Sequence, residues 1–208
     1  MPRKPQQRRS RETVNAIVEA GFISLSRHGM EGTTTRHIAE IAGISVGSLY
    51  EYFANKEAVF DAMYQHAVRD IVAIIRPLTP KLVNMEIRDA VIALLREFRA
   101  WLLRDDSRYL SYVSYTVHMA HRDNLEPINK MLMELVVQYV MHHPHLLKLP
   151  DLPTKSYIII NGGIFTIIRH LAEPNPVISF DQLVDGLGDM VAYMVEGSLR
   201  ELEAGGKR

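Results

Sequence analysis

Apolar residues recur at three- and four-residue steps along nearly the whole of this 208-residue chain. That period belongs to helices with one buried face; strands would alternate at two. Val14, Ile17, Val18, Phe22 and Leu25 form the first stripe, with Gly29 as its C-terminal cap. A short helix is expected from about Thr35 to Ala42 and a second short segment from Val46 to Phe53, separated by Gly43-Ile44-Ser45. Asn55 reads as the N-cap of a longer helix, roughly Lys56 to Arg76, with Val59, Phe60, Met63, Ala67, Ile71 and Ile74 inward and Pro77 and Pro80 as its stop. Further helices are expected over 86–104, 107–121 and 125–143. A last one begins near Ser179, where Ser179 and Gln182 fit a capping box. The expected fold class is all-α.

One segment resists this reading. Over 154–170, β-branched residues flank Asn161-Gly162-Gly163, and Asn-Gly is a strong hairpin turn signal. A lone two-stranded hairpin is marginal in water, however, and every other segment is helical. The segment is therefore expected to be a helix.

Composition removes several function classes. With no cysteine the chain has no disulfide scaffold, thiolate metal site or cysteine nucleophile. The longest charge-free apolar stretch, Ser156–Ile168, has thirteen residues, and a membrane-spanning helix needs about twenty. The chain is expected to be cytoplasmic. The formal net charge is zero, yet residues 1–11 hold five basic residues (Arg3, Lys4, Arg8, Arg9, Arg11) and no acidic one. A basic end on a neutral chain argues against indiscriminate coating of nucleic acid and leaves two readings, a local nucleic-acid contact or an ordinary solvated tail.

The informative stretch runs from Thr33 to Phe60, TTTRHIAEIAGISVGSLYEYFANKEAVF. Two short helices joined by a tight turn need a residue tolerant of left-handed backbone, and Gly43 supplies it. Ala39 is small where the two helices cross, and Ile38, Ile44, Leu49 and Phe53 can meet as a minimal core. This is the design of a helix-turn-helix, whose second helix enters the DNA major groove. Ser45, Val46, Gly47, Ser48 and Tyr50 lie on or near the start of that helix. The small residues allow close approach, and the hydroxyls of Tyr50 and Tyr52 can donate to phosphate oxygens. Thr34 and Thr35 sit at a helix N-terminus, an anion-binding position. Arg36 is a candidate for guanine readout. Lys56 opposes the macrodipole of its own helix, which a phosphate would make favourable and which Glu57 also offsets.

These residues carry a resemblance. The pattern TTxRxIAxxAGxSxGxLYxYFxxKE, the basic lead-in and the long helix that follows closely resemble the DNA-binding domain of TetR-family transcriptional regulators. The match covers residues 10–60 and departs at Val46, where many members carry a polar or basic residue. The resemblance implies a helix-turn-helix domain over 1–55 and a helical ligand-binding and dimerisation domain over 56–208. It implies a homodimer joined through 154–170 and 179–203, with Gly162, Gly163, Gly186 and Gly188 permitting close helix approach. It also implies double-stranded operator DNA as partner, with the recognition helices one DNA turn apart, roughly 34–36 Å. A small-molecule effector would bind among the middle helices. Candidate effector contacts are Phe98, Trp101, Tyr112, Tyr115, His118, Met119, Met131, Tyr139 and Phe165, whose chemistry suits an apolar or aromatic ligand. Arg169 could meet an anionic group of that ligand or its own helix C-terminus.

Enzyme readings fail on context. Gly43-Ile44-Ser45-Val46-Gly47 matches the hydrolase elbow G-x-S-x-G, but that chemistry needs a strand before the serine, and here a helix precedes it. His118, His121 and Asp123, or His142, His143 and His145, lack the spacing of a helical zinc motif. No phosphate-cradling glycine loop is present. No catalytic residue, metal or cofactor is expected. The alternative to an operator-binding regulator is a helical small-molecule-binding protein whose helix-turn-helix does not read DNA.

Overall fold

The computed structural model describes residues 5–118 and 126–205. The chain runs through α1 (Pro5–Gly32), α2 (Thr35–Ala42), α3 (Val46–Tyr50) and α4 (Lys56–Ile75). A 3-10 turn (Arg76–Leu78) and α5 (Thr79–Leu82) lead to α6 (Ile87–Leu102), α7 (Arg104–His118) and α8 (Glu126–His142). After a second 3-10 turn (Pro144–Lys148) come α9 (Leu152–Ala172) and α10 (Phe180–Gly205). The described residues contain no strand.

Two expectations are corrected locally. The helix that begins at Val46 ends at Tyr50, not Phe53; Phe53 is nevertheless held by its N–H bond to the Leu49 carbonyl and is buried. Pro77 and Pro80 do not simply stop α4. Each sits at the first turn of a new helical segment, where an amide N–H has no partner to lose. The contested segment is helical throughout, because α9 passes through Asn161-Gly162-Gly163 without a break. The capping box is present: the Ser179 N–H donates to Gln182 Oε1 at 2.8 Å and the Gln182 N–H to Ser179 Oγ at 3.2 Å.

The described chain forms two compact units. One takes in α1–α3, α4 through Asp70, and α7; the other takes in Ile71–Leu102 and α8–α10. In the first, Ile17, Phe22, Leu25, Ile38, Leu49, Val59 and Met63 are fully buried. A fully buried side chain of this kind stabilises by roughly 1.5–3 kcal/mol. Phe22 sits edge-on to Tyr109 and Tyr112, with ring centroids 5.1 and 5.3 Å away. Tyr112 is buried where α7 meets Phe22 of α1, and its hydroxyl donates to the Phe60 carbonyl at 3.4 Å.

The start of α7 is unusual. Asp105, Asp106 and Ser107 have φ of 50°, 58° and 60°, the left-handed region. Non-glycine residues take it at roughly 1–2 kcal/mol each, normally singly.

In the second unit α10 packs along α6. A Cβ on Gly188 would lie 3.0 Å from Ile92 Cγ1, so a glycine is needed for this approach. Arg88 donates to Asp189 at 2.6 Å and to Asp185 at 3.2 Å, and Arg99 stacks over the Phe180 ring at 4.5 Å. Tyr139 of α8 donates to the Met85 carbonyl at 2.8 Å. Other glycines of α9 and α10 face outward: at Gly162, Gly163, Gly186 and Gly197 an added Cβ would meet nothing within 4 Å. They share exposed faces with Tyr157, Ile158 and Phe165 on α9 and with Met190 and Tyr193 on α10. No helix among the described residues is long and apolar enough to cross a membrane.

Candidate nucleic-acid interface

The turn between α2 and α3 is built as the sequence requires. Gly43 ends α2 in the left-handed region at φ 69° and ψ 28°. The Gly43 N–H reaches the Glu40 carbonyl at 3.2 Å and the Ile44 N–H reaches Ala39 at 3.0 Å. This double bond pattern is a Schellman motif, which satisfies the last carbonyls of the helix. Ser45 then caps α3, its hydroxyl accepting from the Ser48 N–H at 3.0 Å. Thr34 caps α2 by accepting from the His37 N–H at 3.2 Å. Asn55 caps α4, Oδ1 accepting from the Ala58 N–H at 2.8 Å.

Burial divides α3 into two faces. Leu49 is fully buried, while Val46, Gly47 and Tyr50 are exposed. Tyr52 and Ser45 are also exposed, Arg36 and Thr34 are exposed on the α2 side, and Thr35 and Ser48 are half-buried. A Cβ on Gly47 would meet only Ser45 Oγ, at 3.8 Å, so this surface is flat and open. The Tyr50 and Thr35 hydroxyls lie 3.3 Å apart and tie α3 to the start of α2. The exposed side of α2 and α3 thus carries side-chain hydroxyls, a valine and an arginine.

Lys56 is half-buried and turned inward. Its ammonium donates to the Met30 carbonyl at 3.5 Å and lies 5.6 Å from the centroid of the Phe60 ring. Met30 is near the end of α1, where a cation is favoured by the helix dipole. The contact gives Lys56 a reason to stand at the start of α4 that needs no phosphate.

Sequence reasoning missed two features beside this surface. Thr33 is fully buried, and its hydroxyl donates to the Gly29 carbonyl at 2.8 Å. The junction it closes turns at Gly29, with φ 70°. His28 and His37 bring their rings to 4.5 Å, and His37 Nδ1 lies 3.1 Å from the Gly32 carbonyl. Three successive threonines signalled the first only in hindsight of the cap; nothing in the periodicity signalled the second.

The candidate effector contacts fall in both units. Phe98 and Trp101 are buried and stacked at 5.9 Å in the second unit, which also holds buried Met131 and Tyr139 and exposed Phe165. Burial, helped by the charge of Glu86, pushes the Tyr139 hydroxyl up to about 12. Tyr112 is buried against Phe22 in the first unit, and burial, with Asp61 nearby, raises its pKa well above the usual phenol value. Tyr115 is exposed there, its hydroxyl 3.1 Å from where a Gly29 Cβ would be. Met119 and the His118 side chain lie outside the described residues, as do Arg3, Lys4 and the Arg8 side chain; Arg9 and Arg11 are exposed on α1. Arg169 is exposed near the end of α9.

Residues 17–63 match the family model described as bacterial regulatory proteins, tetR family. The chain is 32% identical over 55 residues to the HTH-type transcriptional regulator BetI of Paraburkholderia phymatum, and this stretch covers 26% of the chain and 28% of BetI. The likeness to that relative thus spans less than a third of its length. Across the fold, the chain resembles the fatty acid degradation regulator FadR of Bacillus halodurans with a TM-score of 0.69 at 17% identity, covering 88% of this chain and 98% of that one. It resembles the multidrug binding protein EbrR, solved with imidazole, with a TM-score of 0.61 at 18% identity over 94% of this chain and 93% of that one. The chain thus matches the tetR family in sequence over its helix-turn-helix, residues 17–63, and its helical architecture resembles these solved structures along nearly the whole chain.

Proposed function

We propose that the protein is a cytoplasmic, sequence-specific DNA-binding transcriptional regulator, a repressor released from its operator by a small apolar or aromatic effector. The observation that carries this reading is the two-faced α3. Leu49 anchors it from below while Val46, Gly47 and Tyr50 stay exposed, as a helix entering a major groove requires. Thr34, Thr35, Arg36, Ser45, Ser48 and Tyr52 complete the DNA-binding set, and Lys56 joins it only on leaving the Met30 carbonyl for a phosphate. Val46 offers a methyl-to-methyl contact with thymine, and Arg36 a bidentate contact with guanine. The domain over 1–55 binds DNA; the domain over 56–208 dimerises and binds the effector.

The dimer forms through 154–170 and 179–203. Supporting this, Ile158, Gly162 and Phe165 on α9 and Gly186, Met190, Tyr193 and Gly197 on α10 recur at helical spacing on exposed faces. Gly188, one of the glycines expected at that interface, packs against Ile92 within the chain instead. EbrR, named a multidrug binding protein, is a precedent for small-molecule binding in this fold. Of the candidate effector contacts, Phe98, Trp101, Met131, Tyr139 and Phe165 lie in the second unit and are the ones proposed to meet the effector.

Fluorescence anisotropy with duplex from upstream of the protein's own gene, against a scrambled duplex at matched salt, tests the reading. Selective binding with two protomers per site is expected. Equal weak binding to every upstream and scrambled duplex would favour the alternative, a small-molecule-binding protein that does not read an operator.

A further inference from the structure

The left-handed run Asp105–Ser107 has an identifiable clasp. A non-glycine residue takes this backbone region at a cost, and a run persists only where the surroundings hold it. Arg108, directly after the run, donates from Nη2 to the Asp105 carboxylate at 2.8 Å and pairs through Nη1 with Glu19 of α1. Its side chain is only 18% exposed. Glu19 also faces His66 of α4 at 3.5 Å, and the neighbouring Tyr109 donates its hydroxyl to Asp70 of α4 at 2.8 Å. The strained turn is therefore fastened to α1 by one arginine and to α4 by the tyrosine beside it. It begins just after Leu102, where the chain returns to the first unit.

We infer that Arg108 is a positioning residue for DNA binding. It holds the turn closed and sets the orientation of α1, the helix against which α2 is packed. Relaxing the turn to right-handed or extended backbone carries Asp105 away from Arg108, frees the arginine from Glu19 and releases α1. The inference rests on the DNA-binding reading above.

The test uses the full-length protein with Arg108→Met, Glu19→Gln and the charge-keeping Glu19→Asp. Operator affinity, hydrogen exchange of residues 14–25 and thermal unfolding are read for each. Arg108→Met and Glu19→Gln are each expected to lose operator affinity by about tenfold with faster exchange in α1, and Glu19→Asp to lose less than Glu19→Gln. An arginine that only stabilised the fold would lower the unfolding temperature and leave the affinity of the folded protein unchanged, which would overturn the inference. If Arg108→Met does not fold, Glu19→Gln, at a one-third exposed site, carries the same comparison. Asp106→Gly/Ser107→Gly keeps the Asp105 contact and relieves the strain, so it is expected to raise the unfolding temperature; a lower temperature would show that the turn is not strained. If the wild-type protein selects no operator, the DNA-binding reading fails by itself, and the exchange and unfolding arms still decide the clasp.

Discussion

The hydroxyls of Thr35 and Tyr50, fifteen residues apart in sequence, lie 3.3 Å from each other. The first belongs to the N-terminal turn of α2 and the second to the end of α3. Their hydrogen bond fixes the angle between the two helices on the outer side, opposite the buried Leu49. Both oxygens keep capacity for a further partner, because a hydroxyl can donate once and accept twice.

Tyr50→Phe separates the hydroxyl from the ring. Removing one such hydrogen bond is worth about 0.5–1.5 kcal/mol. Operator affinity measured by anisotropy is expected to fall by about two- to tenfold, while Tyr50→Ala, which also removes the ring, falls further. Equal affinities for Tyr50→Phe and wild type would remove the hydroxyl from the DNA-binding set.

Gly43 tests the turn. No atom lies within 4 Å of an added Cβ, so the only penalty for a side chain there is the left-handed backbone. Gly43→Ala is expected to lower unfolding stability by roughly 1–2 kcal/mol, and Gly43→Asn by less, since asparagine tolerates this region. Urea unfolding of the two variants checks the order.

Gly186 and Gly188 are two residues apart on α10 and face opposite ways. Gly186→Leu is expected to convert dimer to monomer in sedimentation analysis without unfolding the chain. Gly188→Ala drives a Cβ to 3.0 Å from Ile92 Cγ1, and it is expected to be the less stable of the two single alanine variants Gly186→Ala and Gly188→Ala. A dimer that survives Gly186→Leu would remove this face of α10 from the interface.

Tyr139 sets an alkaline limit. Its hydroxyl donates to the Met85 carbonyl, and burial pushes its pKa up to about 12 from the ordinary 10.0. The neutral form is thus favoured in the folded chain. Its contribution is complete below about pH 10 and is lost as the pH rises through about 12, because the unfolded chain ionises first. Denaturant titrations between about pH 9 and 11.5 should show stability falling. Tyr139→Phe should flatten part of that fall while costing about 0.5–1.5 kcal/mol at neutral pH.

The helix-turn-helix was legible because its determinants are local. Gly43 is needed by a turn of a few residues, Ser45 and Asn55 cap helices three residues ahead, and Leu49 and Phe53 mark the buried side through spacing alone. The same holds for the Ser179–Gln182 box and for α9, where consistency with neighbouring helices outweighed the Asn-Gly turn signal. Tertiary structure decided matters that depend on residues far apart. Lys56 finds the Met30 carbonyl across 26 positions, and Tyr109 finds Asp70 across 39. Gly188 turned inward against Ile92 while Gly186 did not, because the phase of α10 relative to α6 is set by their packing. Helical period reports that a face is buried; which partner buries it, and whether a left-handed turn can be held by an arginine reaching another helix, depends on contacts that no local pattern encodes.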